Sequence, residues 1–261
     1  MPATDKANHR TYTRADIVRY YAQLHQLQPA EAAIRDCLKR HLPNMKMLDV
    51  GVGGGRTTAH FAPLVRRYVG VDYSLEMVAA CRQRYPTATL QVADARQLPF
   101  ADSRFDFVLF SFNGIDYMDH GDRQQCLREL HRVVRPGGYL CFSSHNLPAM
   151  VHQFGARAQL RWNPLRAYTN LVMLGLLRWH NRDISRAQLA QADYAMLTDE
   201  SHNFRLRTYY VRPEVQLQQL SRWGDVWIYP WACREPYGLM ALPQRHELWL
   251  YYFCQVTKAA I

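Results

Sequence analysis

Apolar positions along this chain switch between two periods, and each switch marks an element. Short apolar runs at Met47 to Val50, Tyr68 to Val71, Ala88 to Ala95 and Phe105 to Phe110 are bounded by turn residues and read as strands. Between them the spacing becomes helical. Val78 and Cys81 lie on one face of Leu75 to Arg84, for which Ser74 is a ready cap. Cys126, Leu127, Leu130, Val133 and Val134 form a stripe along Gln124 to Val134, ended by Pro136-Gly137. Strands alternating with helices predict an α/β sheet.

Two segments depart from that rhythm. Arg14 to His41 carries Ile17, Val18, Tyr21, Leu24, Ala33, Ile34, Cys37 and Leu38 at helical spacing, broken near Pro29, which predicts two lead-in helices. After the fifth strand, residues 147–207 are helical in pattern around Ala156 to Arg161, Leu165 to Trp179 and Arg186 to Met196, where a minimal fold needs a short connection. The pattern resumes at Tyr209-Tyr210-Val211, a helix through Leu217 and Leu220, a turn at Gly224, and strands near Val226 to Trp231 and Leu248 to Val256. The organisation expected is one domain over 1–261, with a helical lid at 10–42 and a helical cap at 147–207.

The chain has 261 residues, 48% of them hydrophobic, enough for one substantial core. Its six cysteines contain no C-x-x-C pair and cluster with no histidines, so neither a disulfide framework nor a zinc site is indicated, and reduced core thiols are expected. The first residues are polar, and no apolar run reaches membrane-spanning length, which makes a soluble cytoplasmic protein the expectation.

The most informative turn is Asp49-x-Gly51-x-Gly53-x-Gly55. Alternating glycines after a buried strand let a ligand lie against main-chain N–H groups, with a helix expected from about Thr57. A dinucleotide fingerprint needs a small residue where this chain has Arg56, so a nicotinamide cofactor is disfavoured. The next strand ends in Asp72, the third in Asp94, the fourth runs into Ser111-Phe112-Asn113-Gly114, and Arg135-Pro136-Gly137-Gly138 opens the fifth. This ordered series resembles the class I S-adenosylmethionine-dependent methyltransferases, firmly over residues 45 to 146 and loosely beyond.

The resemblance implies a Rossmann-like α/β fold: a seven-stranded, mostly parallel sheet with helices on both faces, the last strand antiparallel, and a helical substrate cap. It also implies S-adenosylmethionine as cofactor and S-adenosylhomocysteine as product. The glycine loop, Asp49, Gly51, Gly53 and Gly55, would cradle the cofactor; Asp72 would take the ribose hydroxyls and Asp94 the adenine amino group. Tyr73, Met77, Ala95 and Asn113 would line the same site, Met77 being equally suited to the core. Tyr12, Tyr20 or Tyr21 would give the lid an aromatic face.

Methyl transfer is an in-line displacement, so the chain's work is alignment and, for a protonated acceptor, proton removal. His145, after Ser143-Ser144 at the fifth strand's end, is the first candidate for a general base, followed by His120 and Tyr117, with His152 and His202 of the cap as outsiders. The expected reaction is methylation of nitrogen or oxygen on a small, plausibly aromatic molecule, with no metal. The net charge of +10 and nine arginines without a lysine in 147–212 give the alternative, a cap meeting phosphates of RNA, an acidic metabolite or an anionic membrane surface. Against nucleic-acid bases, the fourth strand lacks the Asn/Asp-Pro-Pro-aromatic signature and no Pro-Cys nucleophile occurs. A non-methylating enzyme on the same fold is a third reading. Leu165 to Trp179, too short to span a bilayer but able to lie in an interface or wall an acceptor pocket, is expected to be a pocket wall or core helix.

Overall fold

The computed structural model describes residues 12–155, 164–200, 204–242 and 247–257, with side chains from residue 167 onward in the helix that begins at Pro164. Two helices lead in, α1 (Ala15–Gln23) and α2 (Pro29–Leu38). The alternating core follows: β1 (Lys46–Val50), a single-turn α3 (Thr58–Phe61), β2 (Arg67–Asp72), α4 (Leu75–Arg84), β3 (Thr89–Val92), β4 (Phe105–Phe110), α5 (His120–Val133) and β5 (Val134–Asn146). Next come α6 (Leu147–Gly155), α7 (Pro164–His180), α8 (Arg186–Gln191), β6 (Tyr194–Thr198), β7 (Arg207–Val211), α9 (Pro213–Leu220), β8 (Gly224–Pro230) and β9 (Trp249–Val256).

The sheet runs β3-β2-β1-β4-β5 in parallel. Beyond β5 it forks. Tyr139 to His145 pair antiparallel with β9, which in turn pairs antiparallel with β8. At the carboxyl tip of β5, His145 and Asn146 pair parallel with Tyr210 and Val211 of β7, whose antiparallel partner is β6. Through β9 and β8 the sheet has the seven strands expected, the next-to-edge one antiparallel, and the β6-β7 hairpin brings the total to nine. The helical reading of 147–207 needs this correction: the helix over Arg186 ends at Gln191, and the apolar alternation of Ala195 and Leu197 belongs to a strand that buries one face. The segment Ala156 to Arg161 lies outside the described residues.

Strand alternation divides the core between the faces. Leu48, Val50, Val108 and Phe110 point toward α5, meeting Leu127 and Leu130. Met47, Phe107 and Leu109 point the other way, toward Ile34 and Leu38 of α2 and Cys81 of α4. Burial on both sides is why these strands read as continuous apolar runs. A third cluster, around Leu147, Met150, Leu189 and Leu197, gives the cap its own small core. Cys81, Cys126, Cys141 and Cys254 are buried thiols as expected, whereas Cys37 and Cys233 are exposed.

Candidate active site

The carboxyl ends of β1, β2, β3 and β4 open onto a cavity of about 380 Å³, roofed by Tyr12 and by Tyr21 of α1. That volume lies in the range of small-molecule sites. Of the residues singled out from the sequence, Gly51, Gly53, Asp72, Tyr73, Met77, Asp94, Ala95 and the catalytic candidate Tyr117 line it. Asp49, Gly55 and Asn113 do not, and neither do His120 and His145.

Gly53 sits at φ +52°, and a Cβ there would point into open space, so its bare backbone faces the cavity. Its N–H donates to Asp72 Oδ2 at 2.9 Å, while Asp72 Oδ1 accepts from Ser74 N at 2.9 Å. Asp72 thus ties the glycine loop to the start of α4. Ser74 caps that helix by accepting from Met77 N. Burial pushes the Asp72 carboxyl up to about 6, against the pull of these N–H donors.

Asp49 lies beneath the loop, not in it. It is buried and accepts from Thr57 Oγ1 and Tyr68 Oη, both at 2.6 Å, and burial raises it to about 6. Its place is to anchor the turn after the loop to β2. Asp94 stands at the rim, where burial raises its carboxyl, yet a bidentate bond from Arg96 at 2.6–3.0 Å outweighs that and holds it below the usual range.

The lid is built from rings. Tyr12 meets Tyr117 at 5.5 Å, Tyr21 at 5.9 Å and Tyr73 at 6.2 Å between centroids. Of the three tyrosines proposed for the lid face, Tyr20 is the one turned outward, 54% exposed. The lid helix rests directly on Gly54, where an added Cβ would lie 2.5 Å from Ala22 Cα and 2.6 Å from Ala22 N. Sequence reasoning passed over Gly54 as a spacer.

It also passed over the ion pair that joins α2 to the loop. Arg56 donates to Glu31 Oε1 at 2.7 Å and to Oε2 at 2.5 Å, with Glu31 fully buried. Ser111 and Tyr251 hydroxyls and the Gln28 N–H donate to the same carboxylate. Burial raises the Glu31 carboxyl, but these donors overcome it and hold it below the usual range. Arg56 also lies over the Phe112 ring at 4.7 Å, on the cavity wall. The available signal was an acid beside Ala30 and Ile34 on the apolar face of α2.

After β4 the chain makes a tight turn, with Phe112 and Asn113 both at positive φ (58° and 59°). Such backbone costs on the order of 1–3 kcal/mol per residue and persists where surroundings over-determine it. Here Ser143 Oγ, on neighbouring β5, accepts from Asn113 N at 2.7 Å. The turn carries Asp116, fully buried, which accepts from Arg123 Nε (3.2 Å), Ser144 Oγ (2.8 Å) and the His145 N–H (2.6 Å). His145 Nδ1 is 2.8 Å from Asp116 Oδ2, so that nitrogen carries the proton, and the Nε2 lone pair faces Asn113 Nδ2 at 3.3 Å.

His145 lines a second, smaller cavity of about 190 Å³ with Asn146, Tyr210, Leu177 and Trp249. Its ring is 6.5 Å from that of Tyr117, which lines the first cavity. Burial pushes the Tyr117 phenol well above its ordinary value, so it remains a proton donor at neutral pH. His120 is placed elsewhere: its Nδ1 bonds Tyr209 Oη at 2.7 Å and its ring stacks on Tyr194 at 4.0 Å. Partial burial and the Arg123 charge lower its basicity. His152 lies on α6, and His202 lies outside the described residues. Among the described residues no cluster of metal-ligating side chains occurs.

Comparison with known proteins agrees with this geometry. Residues 48–142 match the family model described as a methyltransferase domain. The demethylmenaquinone methyltransferase of Corynebacterium kroppenstedtii is 37% identical over 108 residues, 41% of this chain and 45% of that protein. The ubiquinone/menaquinone biosynthesis C-methyltransferase of Geotalea daltonii is 31% identical over 121 residues, 43% of this chain and 50% of that protein. The chain thus spans about half the length of the curated relatives it matches. A crystal structure of an S-adenosylmethionine-dependent methyltransferase from Clostridium acetobutylicum superposes with a TM-score of 0.59 over 88% of this chain and 91% of that one, at 13% identity, which is a likeness of fold. With the glycine loop after β1, carboxylates ending β2 and following β3, and an antiparallel strand beside β5, residues 48–142 are a methyltransferase domain of the class I S-adenosylmethionine-dependent family.

Proposed function

We propose that this chain transfers a methyl group from S-adenosylmethionine to a nitrogen or oxygen atom of a small-molecule acceptor held under the N-terminal lid. The observation that carries the reading is the cavity itself: a bare glycine backbone at Gly53, a carboxylate at Asp72 and an acid at Asp94 converge on a space roofed by Tyr12 and Tyr21. These groups fit a ligand with a ribose, a purine and a charged amino-acid end. Asp72 would take the ribose hydroxyls, Gly51 and Gly53 the close approach, Met77 and Ala95 the purine face, and Asp94 its amino group. Bound there, the cofactor supplies an electrophilic methyl group on a sulfonium.

The chain's own residues then exclude water and handle a proton. The tyrosine roof covers one side of the cavity and keeps water from that side of the ligand, which strengthens the electrostatic contacts there. His145 is the general base of this reading, for an acceptor that extends from the lid past Tyr117 to the second cavity, which His145 lines. Asp116 fixes its tautomer, and the Nε2 lone pair takes the acceptor's proton when the acceptor displaces the Asn113 amide. An acceptor with a free lone pair needs orientation only. Tyr117, kept protonated, orients by donating a hydrogen bond.

The name of the Geotalea daltonii relative favours carbon as a second acceptor atom, for which deprotonation by His145 would be required. RNA is supported less well: Arg178, Arg207 and Arg212 donate to the main-chain carbonyls of Phe154, Met196 and Ala192, a structural use of the cap's cations. The test is transfer of a labelled methyl group from S-adenosylmethionine into a lysate of the source organism, separated into small-molecule, RNA and protein fractions. Label in the small-molecule fraction is expected, and the product's spectrum names the methylated atom. Label confined to RNA or protein would overturn the reading.

A further inference from the structure

Helix α7 is apolar on the wrong side. Leu177, 6% exposed, is its buried hydrophobic residue among those described, and it lines the second cavity. The opposite face carries Tyr168 (65% exposed), Leu171 (55%), Val172 (39%), Leu176 (36%) and Trp179 (67%). Their spacing of i, i+3, i+4, i+8 and i+11 makes one continuous stripe, the pattern that a helix normally turns toward a core. A Cβ at Gly175, within that stripe, would meet nothing within 4 Å. Of the two expectations for this helix, pocket wall or core, Leu177 meets the first, and the second is corrected: the apolar stripe from Tyr168 to Trp179 faces solvent. An apolar surface of this size in one place marks an interaction site.

Charge identifies what covers it. Residues 167–182 contain no acidic residue, while Arg178, His180 and Arg182 gather at the helix's end. Arg182 lies over the Trp179 ring at 5.4 Å, holding a cation beside the stripe. A second copy of the helix would bring its own arginines with Asp183 as the nearest carboxylate, leaving an excess of positive charge. Two oxygens of a phosphate match the planar fork of a guanidinium such as that of Arg182. Tyr168 and Trp179, an aromatic at each end of the stripe, suit the boundary between headgroups and acyl chains. With 17 residues the helix can lie in that boundary but falls short of crossing it, and no described helix is long and apolar enough to cross a membrane.

We propose that the α7 stripe docks in the plane of an anionic phospholipid bilayer, its apolar side chains in the interface and Arg182, beside Trp179, on a lipid phosphate. The test is co-sedimentation of the full chain with vesicles of phosphatidylcholine alone and of phosphatidylcholine with phosphatidylglycerol, each at low and high salt. The chain is expected to bind the phosphatidylglycerol vesicles, more weakly as salt rises, and to bind phosphatidylcholine alone poorly. The double variant Leu171→Glu, Leu176→Glu changes exposed side chains, so its melting temperature should match the parent's. Its vesicle binding should fall by about tenfold or more. Failure to bind anionic vesicles at low salt, equal binding to both vesicle types, or undiminished binding by the double variant would overturn the proposal. Concentration-dependent dimers, abolished by the same variant in a chain that ignores vesicles, would assign the stripe to a second copy instead.

Discussion

Replacing Glu31 tests whether the lead-in helix is locked to the glycine loop by charge. Glu31→Leu keeps the side chain's bulk but leaves Arg56 charged and nearly buried, 8% exposed, with the Gln26 carbonyl, the Ser111 hydroxyl and the Phe112 ring as remaining partners, none of them charged. Breaking a buried pair in this way costs about 3–5 kcal/mol, because the surviving charge has no counterpart. For a chain of this length, each kcal/mol moves the melting temperature by about 2–4 °C, so a loss of about 6–20 °C is expected by calorimetry. Arg56→Met in the Glu31→Leu background removes the stranded charge and should recover most of that loss.

The pH dependence has a definite sign. Glu31 is held below its unfolded value, near about 4.3, so its contribution is full above that pH and is lost as pH falls through the folded value. The melting temperatures of parent and Glu31→Leu should converge in acid. A single-variant loss below about 1 kcal/mol, the scale of a surface pair, would refute the lock. So would a double variant no more stable than the single.

Three further outcomes follow from the site. Gly54→Ala places a methyl group against the main chain of Ala22; it should cost about 1–3 kcal/mol of lid packing, weaken S-adenosylhomocysteine binding about tenfold, and expose Arg19 to trypsin, whereas an unchanged digest would deny the lid's seat. Because burial holds free Asp72 near about 6 while a ribose hydroxyl bonds best to the ionised form, binding should release up to about half a proton at pH 6 and weaken toward tenfold per pH unit below it. Calorimetry in buffers of different ionisation enthalpy should register that proton in the parent and none in Asp72→Asn. His145→Asn should lower turnover by on the order of 10²–10⁴ while leaving S-adenosylhomocysteine binding unchanged; undiminished turnover at every pH would remove His145 from the chemistry.

The strands and their carboxylates were legible because burial on both faces writes itself as apolar runs, and because ligand-facing acids fall at their ends. Asp72 and Asp94 stand at the cavity for that reason. Asp49 misled, since an acid opening a glycine turn looks the same whether it faces a ligand or, as here, Thr57 and Tyr68 beneath it. Arg56 was read only as a misfit to a dinucleotide fingerprint. Its partner lies 25 residues earlier on another element, a distance no local pattern spans. The β6-β7 hairpin was hidden because Leu189, Ala195 and Leu197 suit helix and strand equally until the pairing of Ala195 with Tyr210 and Leu197 with Thr208 decides. Helix α7 was legible as a helix, but the face it buries depends on what packs beside it.

The central claim rests on the cavity beneath the lid, and the most direct measurement is calorimetric titration of S-adenosylhomocysteine into the parent and Gly53→Asn. Asparagine tolerates positive φ, so the loop should keep its shape while the new side chain fills the open space beside Gly53. Micromolar binding to the parent, lost in the variant at a nearly unchanged melting temperature, is the predicted result. A parent that takes up no ligand, or a variant that retains the parent's affinity, would contradict the placement of the cofactor.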